Sequence, residues 1–192
     1  MYQEKQSKNV QLLKTLYSTN LSSLIVIASN GKIYQLSLTD LTLHKDHSIH
    51  QLCNIESDQK ILTVMDMISF NSYHSLITVS KNGYVKRTLI NEYNLVRKKG
   101  VIAVKLEEND LLASVLFSFD DNDKLLIVSN NHYYNYYPVN TVNCTGRATK
   151  GIKGIKLNKD EYVSSAKILQ DDGDFSITSR AVKGNKILTN TW

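Results

Sequence analysis

Residues 24–36 read LIVIASNGKIYQL, which is an apolar run, a short polar turn and then an alternating run. The same arrangement recurs at residues 76–88 (LITVSKNGYVKRT) and 125–137 (LLIVSNNHYYNYY). The turns fall at Asn30 with Gly31, Asn82 with Gly83, and Asn131 with His132. Asn-Gly between two such runs is a strong hairpin signal, because a type I′ turn needs positive φ at both central residues. Histidine in the glycine position is a weaker signal, although it tolerates positive φ better than most residues. We therefore predict three β-hairpins with type I′ turns.

The hairpins are evenly spaced, and each is followed by a second pattern that recurs within the chain. Gly31 and Gly83 are 52 residues apart, His132 follows 49 residues later, and a fourth copy begins near Phe175. The second halves, at residues 51–64, 100–115 and 151–166, read as strand, polar turn and strand, with the turns at Asp58, Asp110 and Asp160. Each unit of about 50 residues thus holds about four short strands and almost no helix signal. Radial repetition of such units is typical of a β-propeller.

The predicted architecture is therefore all-β, with about four four-stranded blades in a single domain over residues 10–192 and a flexible segment at residues 1–9. The blades are expected near residues 22–70, 74–120, 124–170 and 174–192. Residues 10–20, which we read as a strand in preference to a short helix, either complete a ring of four units or leave the ring open. Closure matters because it protects strand edges that an open sheet exposes.

The charge of the chain permits a polyanionic partner. The net charge is +5 and the isoelectric point is near 9.0. Basic residues concentrate in residues 81–106 and 146–159, whereas residues 107–123 hold six acids and no base. Lysine and arginine that neutralise phosphates supply most of the affinity of proteins for duplex DNA. The candidate phosphate-binding residues are Lys86, Arg87, Arg97, Lys98, Lys99, Arg147, Lys150, Lys153 and Lys156. A charge run alone is more often a solvated face, but the loops around residues 97–99 and 147–153 occupy equivalent places in consecutive units.

Other functional classes have little support. No stretch approaches the roughly 20 apolar residues of a membrane helix, and the first residues lack the apolar core of a signal peptide, so we expect a cytoplasmic protein. We expect Cys53 and Cys144 to be buried free thiols rather than a disulfide. His44, His47 and His50 lack a fourth metal ligand and are interpreted as a surface loop. The acids at residues 120–123 are interpreted as an exposed turn, and we identify no catalytic centre and no metal site.

Four segments also resemble a known family. They are NGKIYQL (30–36), KNGYVKRTLINEY (81–93), RKKGVIAVKLEEND (97–110) and GRATKGIKGIKLNKDEYV (146–163). In this order and spacing the chain resembles, over residues 10–188, the C-terminal β-pinwheel domain in the A subunit of bacterial DNA topoisomerase IV, and more loosely that in the A subunit of gyrase. The resemblance implies a variant propeller in which neighbouring blades exchange strands, with a positively charged rim that holds and bends duplex DNA.

The resemblance also implies a division of labour within a larger enzyme. This chain would be the non-catalytic DNA-binding domain, associated with the nucleoid and without a cofactor of its own. Its partners in ATP- and Mg²⁺-dependent decatenation and relaxation would be the ATPase B subunit together with the catalytic part of the A subunit. Gyrase domains carry a basic box, QRRGGKG, where residues 93–100 here read YNLVRKKG. The lost glycine pair favours a topoisomerase IV role, with a gyrase-type wrapping domain or a protein-binding propeller as alternatives.

Overall fold

The computed structural model describes residues 23–94, 98–169 and 185–186, and within them three antiparallel hairpins are formed. The first pairs β1 (Ser23–Ala28) with β2 (Lys32–Ser37). The second pairs β4 (Ser75–Ser80) with β5 (Tyr84–Leu89). The third pairs β8 (Lys124–Ser129) with β9 (Tyr133–Pro138). The three predicted hairpins are therefore confirmed, at the predicted positions.

The three hairpin turns share one backbone geometry, and it differs from the predicted one. The amides of Gly31, Gly83 and His132 each bond the carbonyl three residues earlier, at 3.1, 3.0 and 3.1 Å. These residues have φ of 77°, 81° and 61°, whereas the asparagine before each does not have positive φ. A three-residue loop that ends in a left-handed residue has this pattern. The prediction of type I′ turns is wrong, because only one residue in each turn is left-handed.

Each hairpin is extended on both sides into a four-stranded sheet. The remaining strands are β3 (Ile61–Asp66), β6 (Val101–Ile102), β7 (Leu112–Ser118), β10 (Ile152–Lys153), β11 (Val163–Leu169) and β12 (Asn185–Lys186). Sheet A has the order β3-β1-β2-β6, sheet B the order β7-β4-β5-β10 and sheet C the order β11-β8-β9-β12. The fold is the all-β pinwheel that we expected. The three described sheets follow one another without closing a ring, and the predicted fourth hairpin and the N-terminal strand lie outside the described residues.

Short strands are exchanged between neighbouring sheets, as the resemblance implied. Strand β6 lies between β5 and β7 in the chain, yet it joins sheet A, where Lys32 pairs with Ile102. Strand β10 likewise lies between β9 and β11 but joins sheet B, where Tyr84 pairs with Lys153. The link that follows the second hairpin therefore gives β6 to sheet A and β7 to sheet B, and the link that follows the third gives β10 to sheet B and β11 to sheet C.

The turn glycines allow these exchanged segments to approach closely. The carbonyl of Gly31 accepts hydrogen bonds from the amides of Ala103 and Val104, at 2.8 and 3.1 Å. The carbonyl of Gly83 accepts a bond from the Gly154 amide at 2.8 Å. A Cβ atom on Gly31 would lie 2.8 Å from the Val104 carbonyl oxygen. The glycine of the Asn-Gly turn therefore also allows the neighbouring unit to form hydrogen bonds with the turn.

Three short helices interrupt the strands, and the expectation of almost no helix is wrong here. They are α1 (Leu38–Leu43), α2 (Ile49–Cys53) and α3 (Met67–Asn71). Ser48 and Gln51 form a capping box at the start of α2, a sequence feature that favours helix initiation. Helix α2 replaces the strand predicted near residue 51 and includes His50, whereas His44 and His47 lie exposed in the turn between α1 and α2, as predicted for a surface loop. Short 3-10 helices follow β5 (Ile90–Tyr93) and β9 (Val139–Thr141).

The cores lie between consecutive sheets and beneath the helices. Ile25 and Ile27 of sheet A pack against Leu76 and Leu112 of sheet B, and all four are buried. On the other face of sheet A, Val26 packs against a cluster that includes residues of α2. Both faces of the first hairpin are thus covered, which explains its continuous apolar run. A second core joins sheets B and C.

Cysteine burial differs from the expectation at one of the two positions. Both cysteines are free, but Cys53 is buried in α2 and Cys144 is exposed. Burial raises the pKa of the Cys53 thiol, which favours its neutral form. In the described part of the chain, no helix has the length and apolar character needed to cross a membrane.

Candidate nucleic-acid interface

Basic side chains follow one edge of the sheets, which we call the exchanged edge. It consists of residues 98–105, 147–156 and 185–186, which contain the exchanged strands β6 and β10 and the strand β12 at the same place in sheet C. Its basic residues with described side chains are Lys98, Lys99, Lys105, Arg147, Lys150, Lys153 and Lys156. The amide of Lys105 donates to the Thr149 carbonyl at 3.0 Å. The first two segments therefore touch and form a continuous basic surface.

The basic residues occur in register in the two fully described segments. Gly100 and Gly151 both have positive φ just before the exchanged strands. Counting from these glycines, Lys99 corresponds to Lys150 and Lys105 corresponds to Lys156. Lys99, Lys105 and Lys156 are exposed. The repeat therefore places ammonium groups at matching points of successive sheets, where they could neutralise successive phosphates.

Lys150 and Lys153 share an aromatic support. Their Nζ atoms lie 4.3 and 4.1 Å from the centroid of the Tyr84 ring, within cation–π distance. Lys153 is paired with Tyr84 across the strands and also donates to the Asn82 carbonyl at 2.7 Å. The backbone register is the same in sheet C, where Lys186 of β12 pairs with Tyr133 of β9. Tyr84 therefore fixes two predicted phosphate-binding lysines on the exchanged edge.

Two acidic residues pair with lysines of the exchanged edge. The Lys150 ammonium donates to the Glu107 carboxylate, which raises the pKa of Lys150 and lowers that of Glu107. Lys98 lies 3.2 Å from the Asp40 carboxylate at the start of α1, and its hydrogen bond lowers the pKa of Asp40. The exchanged edge therefore carries acidic as well as basic side chains.

Lys86 and Arg87 do not lie on the surface, in contrast to their predicted place on the rim. Lys86 is 2% exposed, and its ammonium donates to Thr88 and, at 2.9 Å, to the Ala103 carbonyl. Burial lowers the pKa of Lys86 to about 8, with the Arg147 charge acting in the same direction. Arg87 is 4% exposed, donates to Ser75 at 3.1 Å and pairs with Asp121. Both residues hold parts of the fold together, so we leave them out of the proposed DNA contacts.

The residues of the two predicted basic loops differ in their exposure to solvent. Arg97 lies outside the described residues, so its placement as a phosphate contact stays a prediction. Lys98 and Lys99 are exposed, whereas Arg147 and Lys150 are half-buried. Arg147 is near enough to Lys86 and Tyr93 to act on the pKa of both. The side chains of Lys153 and Lys156 are exposed on and after β10.

Sequence reasoning missed three residues that belong to this surface. Lys105 is the counterpart of Lys156, and aligning the two segments on their glycines would have identified it. Tyr84 could have been noticed as the aromatic residue that directly follows the turn. The contact of Glu107 with Lys150 spans 43 residues, and no local pattern reveals it.

The histidines and acidic residues that we set aside make ordinary structural contacts. Among the described residues, no group of three or more histidine, cysteine or acidic side chains could hold a metal ion. His50 contacts the Gln59 carbonyl at 2.8 Å, while the His44 and His47 rings lie edge to face. The turn before β8 is formed as predicted, but Asp123 is buried and accepts the Phe119 amide at 3.0 Å.

Comparison with known proteins identifies the family of this chain. A family model described as the DNA gyrase C-terminal domain, a β-propeller, matches residues 74–118 and 123–170. The A subunit of DNA gyrase from Helicobacter pylori is 32% identical over 155 residues, or 79% of this chain. The chain belongs to the family of C-terminal domains of type IIA topoisomerase A subunits. The region matched is the non-catalytic accessory domain, in agreement with the expectation that this chain alone is not an enzyme.

A further relative is similar in sequence, and solved structures share the fold. The A subunit of DNA gyrase from Metamycoplasma arthritidis is 28% identical over 155 residues, or 78% of the chain. The chain spans about a fifth of these subunits, 19% and 17% of their lengths. A topoisomerase IV C-terminal domain has the same fold, with a TM-score of 0.75 and 22% identity over 86% of this chain and 53% of that one. A gyrase A C-terminal domain has a TM-score of 0.60 and 24% identity over 79% of this chain and 49% of that one.

Proposed function

We propose that this chain binds duplex DNA through the exchanged edge and bends it, as an accessory domain of a type IIA topoisomerase. The observation that carries the proposal is the recurrence of exposed lysines at matching points of successive sheets, with Lys99 and Lys105 in one segment and Lys156 in the next. The spacing of phosphates along a duplex is regular, so a repeated set of cations can engage several of them without reading sequence.

The arrangement of the sheets supports the proposal that the DNA is bent. Consecutive sheets of the pinwheel carry their basic segments on the same edge, so a duplex that contacts several segments must follow the turn from sheet to sheet. Bending a site of 20–30 base pairs costs about 1–6 kcal/mol, which additional phosphate contacts can offset. Sequence-independent, salt-sensitive binding is the expected signature.

Within the holoenzyme we propose a topoisomerase IV-type role. The domain would help to recognise DNA topology, while the ATPase B subunit with the remainder of the A subunit would perform ATP- and Mg²⁺-dependent decatenation and relaxation. The sequence YNLVRKKG at residues 93–100 supports this choice, because it lacks the paired glycines of the gyrase box.

A gyrase-type wrapping domain is the second candidate. The observation that favours it is the similarity to gyrase A subunits, including the 32% identity to the Helicobacter pylori protein. Topology assays on the holoenzyme separate the two roles: gyrase introduces negative supercoils, whereas topoisomerase IV removes links without introducing them.

Substitution of three exposed lysines tests the DNA-binding role. The variant K99A/K105A/K156A removes cations from both described basic segments of the exchanged edge. We expect weaker duplex binding, and a plot of log affinity against log salt whose slope is shallower by about 2–3 units, since each phosphate contact contributes roughly 0.9 units. Fluorescence anisotropy with a labelled duplex of arbitrary sequence measures both quantities.

A second triple variant controls for net charge. K60A/K124A/K167A removes the same number of charges from positions outside the exchanged edge, before β3, in β8 and in β11. We expect its salt slope to stay close to that of the unmodified chain. Equal losses in the two variants would show that general charge, rather than the exchanged edge, governs binding.

A further inference from the structure

The pairing of Lys150 with Glu107 joins two repeats on the proposed DNA-binding surface. Glu107 lies in the link that leads from β6 to β7, and the Asp110 amide donates to its backbone carbonyl at 3.2 Å. Lys150 belongs to the next link, two residues before the start of β10. Both side chains are about 40% exposed, so the pair is open to solvent and to a ligand.

The Lys150 ammonium is held between the Tyr84 ring and the Glu107 carboxylate. The Tyr84 ring lies beneath both Lys150 and Lys153, and Lys153 is held further by the Asn82 carbonyl. A carboxylate and a phosphate compete for the same ammonium hydrogens. Glu107 already satisfies part of the charge and one hydrogen of the Lys150 ammonium, so a phosphate gains less from this lysine while the pair is formed.

The equivalent position in sheet A provides an internal comparison. Lys99 corresponds to Lys150, Glu56 corresponds to Glu107, and Lys32 stands where sheet B has Tyr84. Within the described residues, Lys99 forms no ion pair with Glu56. The acidic position alone therefore does not produce the pair, and the arrangement around Tyr84 distinguishes the edge of sheet B.

We propose that Glu107 is an internal competitor for phosphate that limits the affinity of the exchanged edge for duplex DNA. This inference rests on the proposed function. Glu107 is acidic, so it weakens DNA binding where the surrounding lysines strengthen it. Glu107 sets how readily Lys150 becomes available, so it tunes binding strength and salt sensitivity without itself contacting DNA.

Neutralising Glu107 tests the proposal, and the adjacent Glu108 provides a matched control. Glu108 is exposed and, within the described residues, forms no ion pair. E107Q and E108Q change the net charge equally at neighbouring positions. We expect E107Q to raise duplex affinity about two- to five-fold, the range for releasing an exposed ion pair. Its salt slope should steepen by about one unit, since one more lysine neutralises a phosphate. E108Q should change affinity much less.

A double variant assigns the effect to Lys150. If Glu107 acts through this lysine, E107Q/K150Q should bind no more tightly than K150Q, apart from the small gain seen with E108Q. Binding by the unmodified chain with equal effects of E107Q and E108Q would overturn the inference but leave the proposed function intact. Failure of the unmodified chain to bind duplex at low salt would instead overturn the proposed function.

Discussion

Lys86 acts as a buried hydrogen-bond donor between two sheets. It lies three residues after Gly83, on β5, and donates to the carbonyl of Ala103 just beyond the exchanged strand β6. Asn135 lies three residues after His132, and its side-chain amide donates to the corresponding Gly154 carbonyl at 2.7 Å. The repeat therefore uses this position to hold each exchanged segment. An amide and an ammonium group perform the same task in neighbouring sheets.

The buried ammonium of Lys86 predicts a specific dependence of stability on pH. Its pKa is about 8 in the folded chain and near 10.5 when unfolded, so between these values the unfolded state binds more protons. The free energy of unfolding should therefore rise with pH through this window, by at most about 1.4 kcal/mol per pH unit. Below pH 8 both states are protonated and the contribution is constant.

Urea unfolding of the unmodified chain and of K86M, compared from pH 7 to 9.5, isolates this effect. The difference between the two removes most contributions from other groups, including Tyr93, whose pKa burial raises to about 12. Stability of K86M should lack the rise, and K86Q serves the same purpose if K86M folds poorly. Parallel pH profiles for all three proteins would contradict the assigned environment of Lys86.

Sequence reasoning could not have placed Lys86 and Arg87 correctly. A lysine and an arginine on a strand read as surface residues, because charged side chains are rarely buried unless paired. The partners that permit burial here are the Ala103 carbonyl for Lys86 and Asp121 for Arg87. Asp121 comes 34 residues after Arg87. Only the folded chain brings these groups together.

At the scale of elements, the exchanged strands are the feature that the residue pattern alone does not assign. The repeat predicts about four strands in each unit, and its long strands are formed. Strands β6 and β10 have two residues each, too few to carry an alternating pattern. The segment of β6 bonds to the Gly31 turn and therefore joins sheet A. The segment of β10 bonds to the Gly83 turn and therefore joins sheet B. The family resemblance supplied the exchange in advance.

Helix α2 was predictable in principle. Ser48 followed by Gln51 is a capping-box pattern, and its hydrogen bonds are formed. Comparison with the other units favoured a strand instead, because the equivalent stretches begin with β6 and β10. The competing factor is packing: Leu52 and Cys53 are buried against the face of sheet A, and a helix meets this need as well as a strand.

The entry into an exchanged strand should tolerate substitution poorly at Gly151. Its φ is 94°, and a Cβ atom would lie 2.4 Å from the Val85 carbonyl oxygen. We expect G151A to destabilise the chain by about 2–4 kcal/mol, combining left-handed backbone strain with overpacking. Chemical denaturation measures the change.

Gly146 offers a control in the same loop. Nothing lies within 4 Å of a Cβ atom built there, and its φ is not positive. G146A should alter stability by no more than about 0.5 kcal/mol, as is usual for surface substitutions. Similar effects of the two substitutions would argue against close packing of the exchanged segment on β5.

At the scale of the whole molecule, the repeat places exposed lysines along one edge of the sheets although the net charge is modest. The total of +5 says little about a partner. The fold gathers Lys99, Lys105, Lys153 and Lys156 along one edge, and it withdraws Lys86 and Arg87 into the interior. The basic loops were predictable from their equivalent positions in successive units. The acidic partners Asp40 and Glu107 were not, since they reach the edge from other elements.

The most direct test of the account is a lysine footprint of the complex with duplex DNA. The full chain is treated with an acetylating reagent with and without a duplex of arbitrary sequence, and mass spectrometry measures the reactivity of each lysine. We expect DNA to protect Lys99, Lys105, Lys153 and Lys156, while Lys60, Lys124 and Lys167 keep their reactivity. Unchanged reactivity along the exchanged edge at saturating DNA, or protection confined to the other lysines, would contradict the proposed interface.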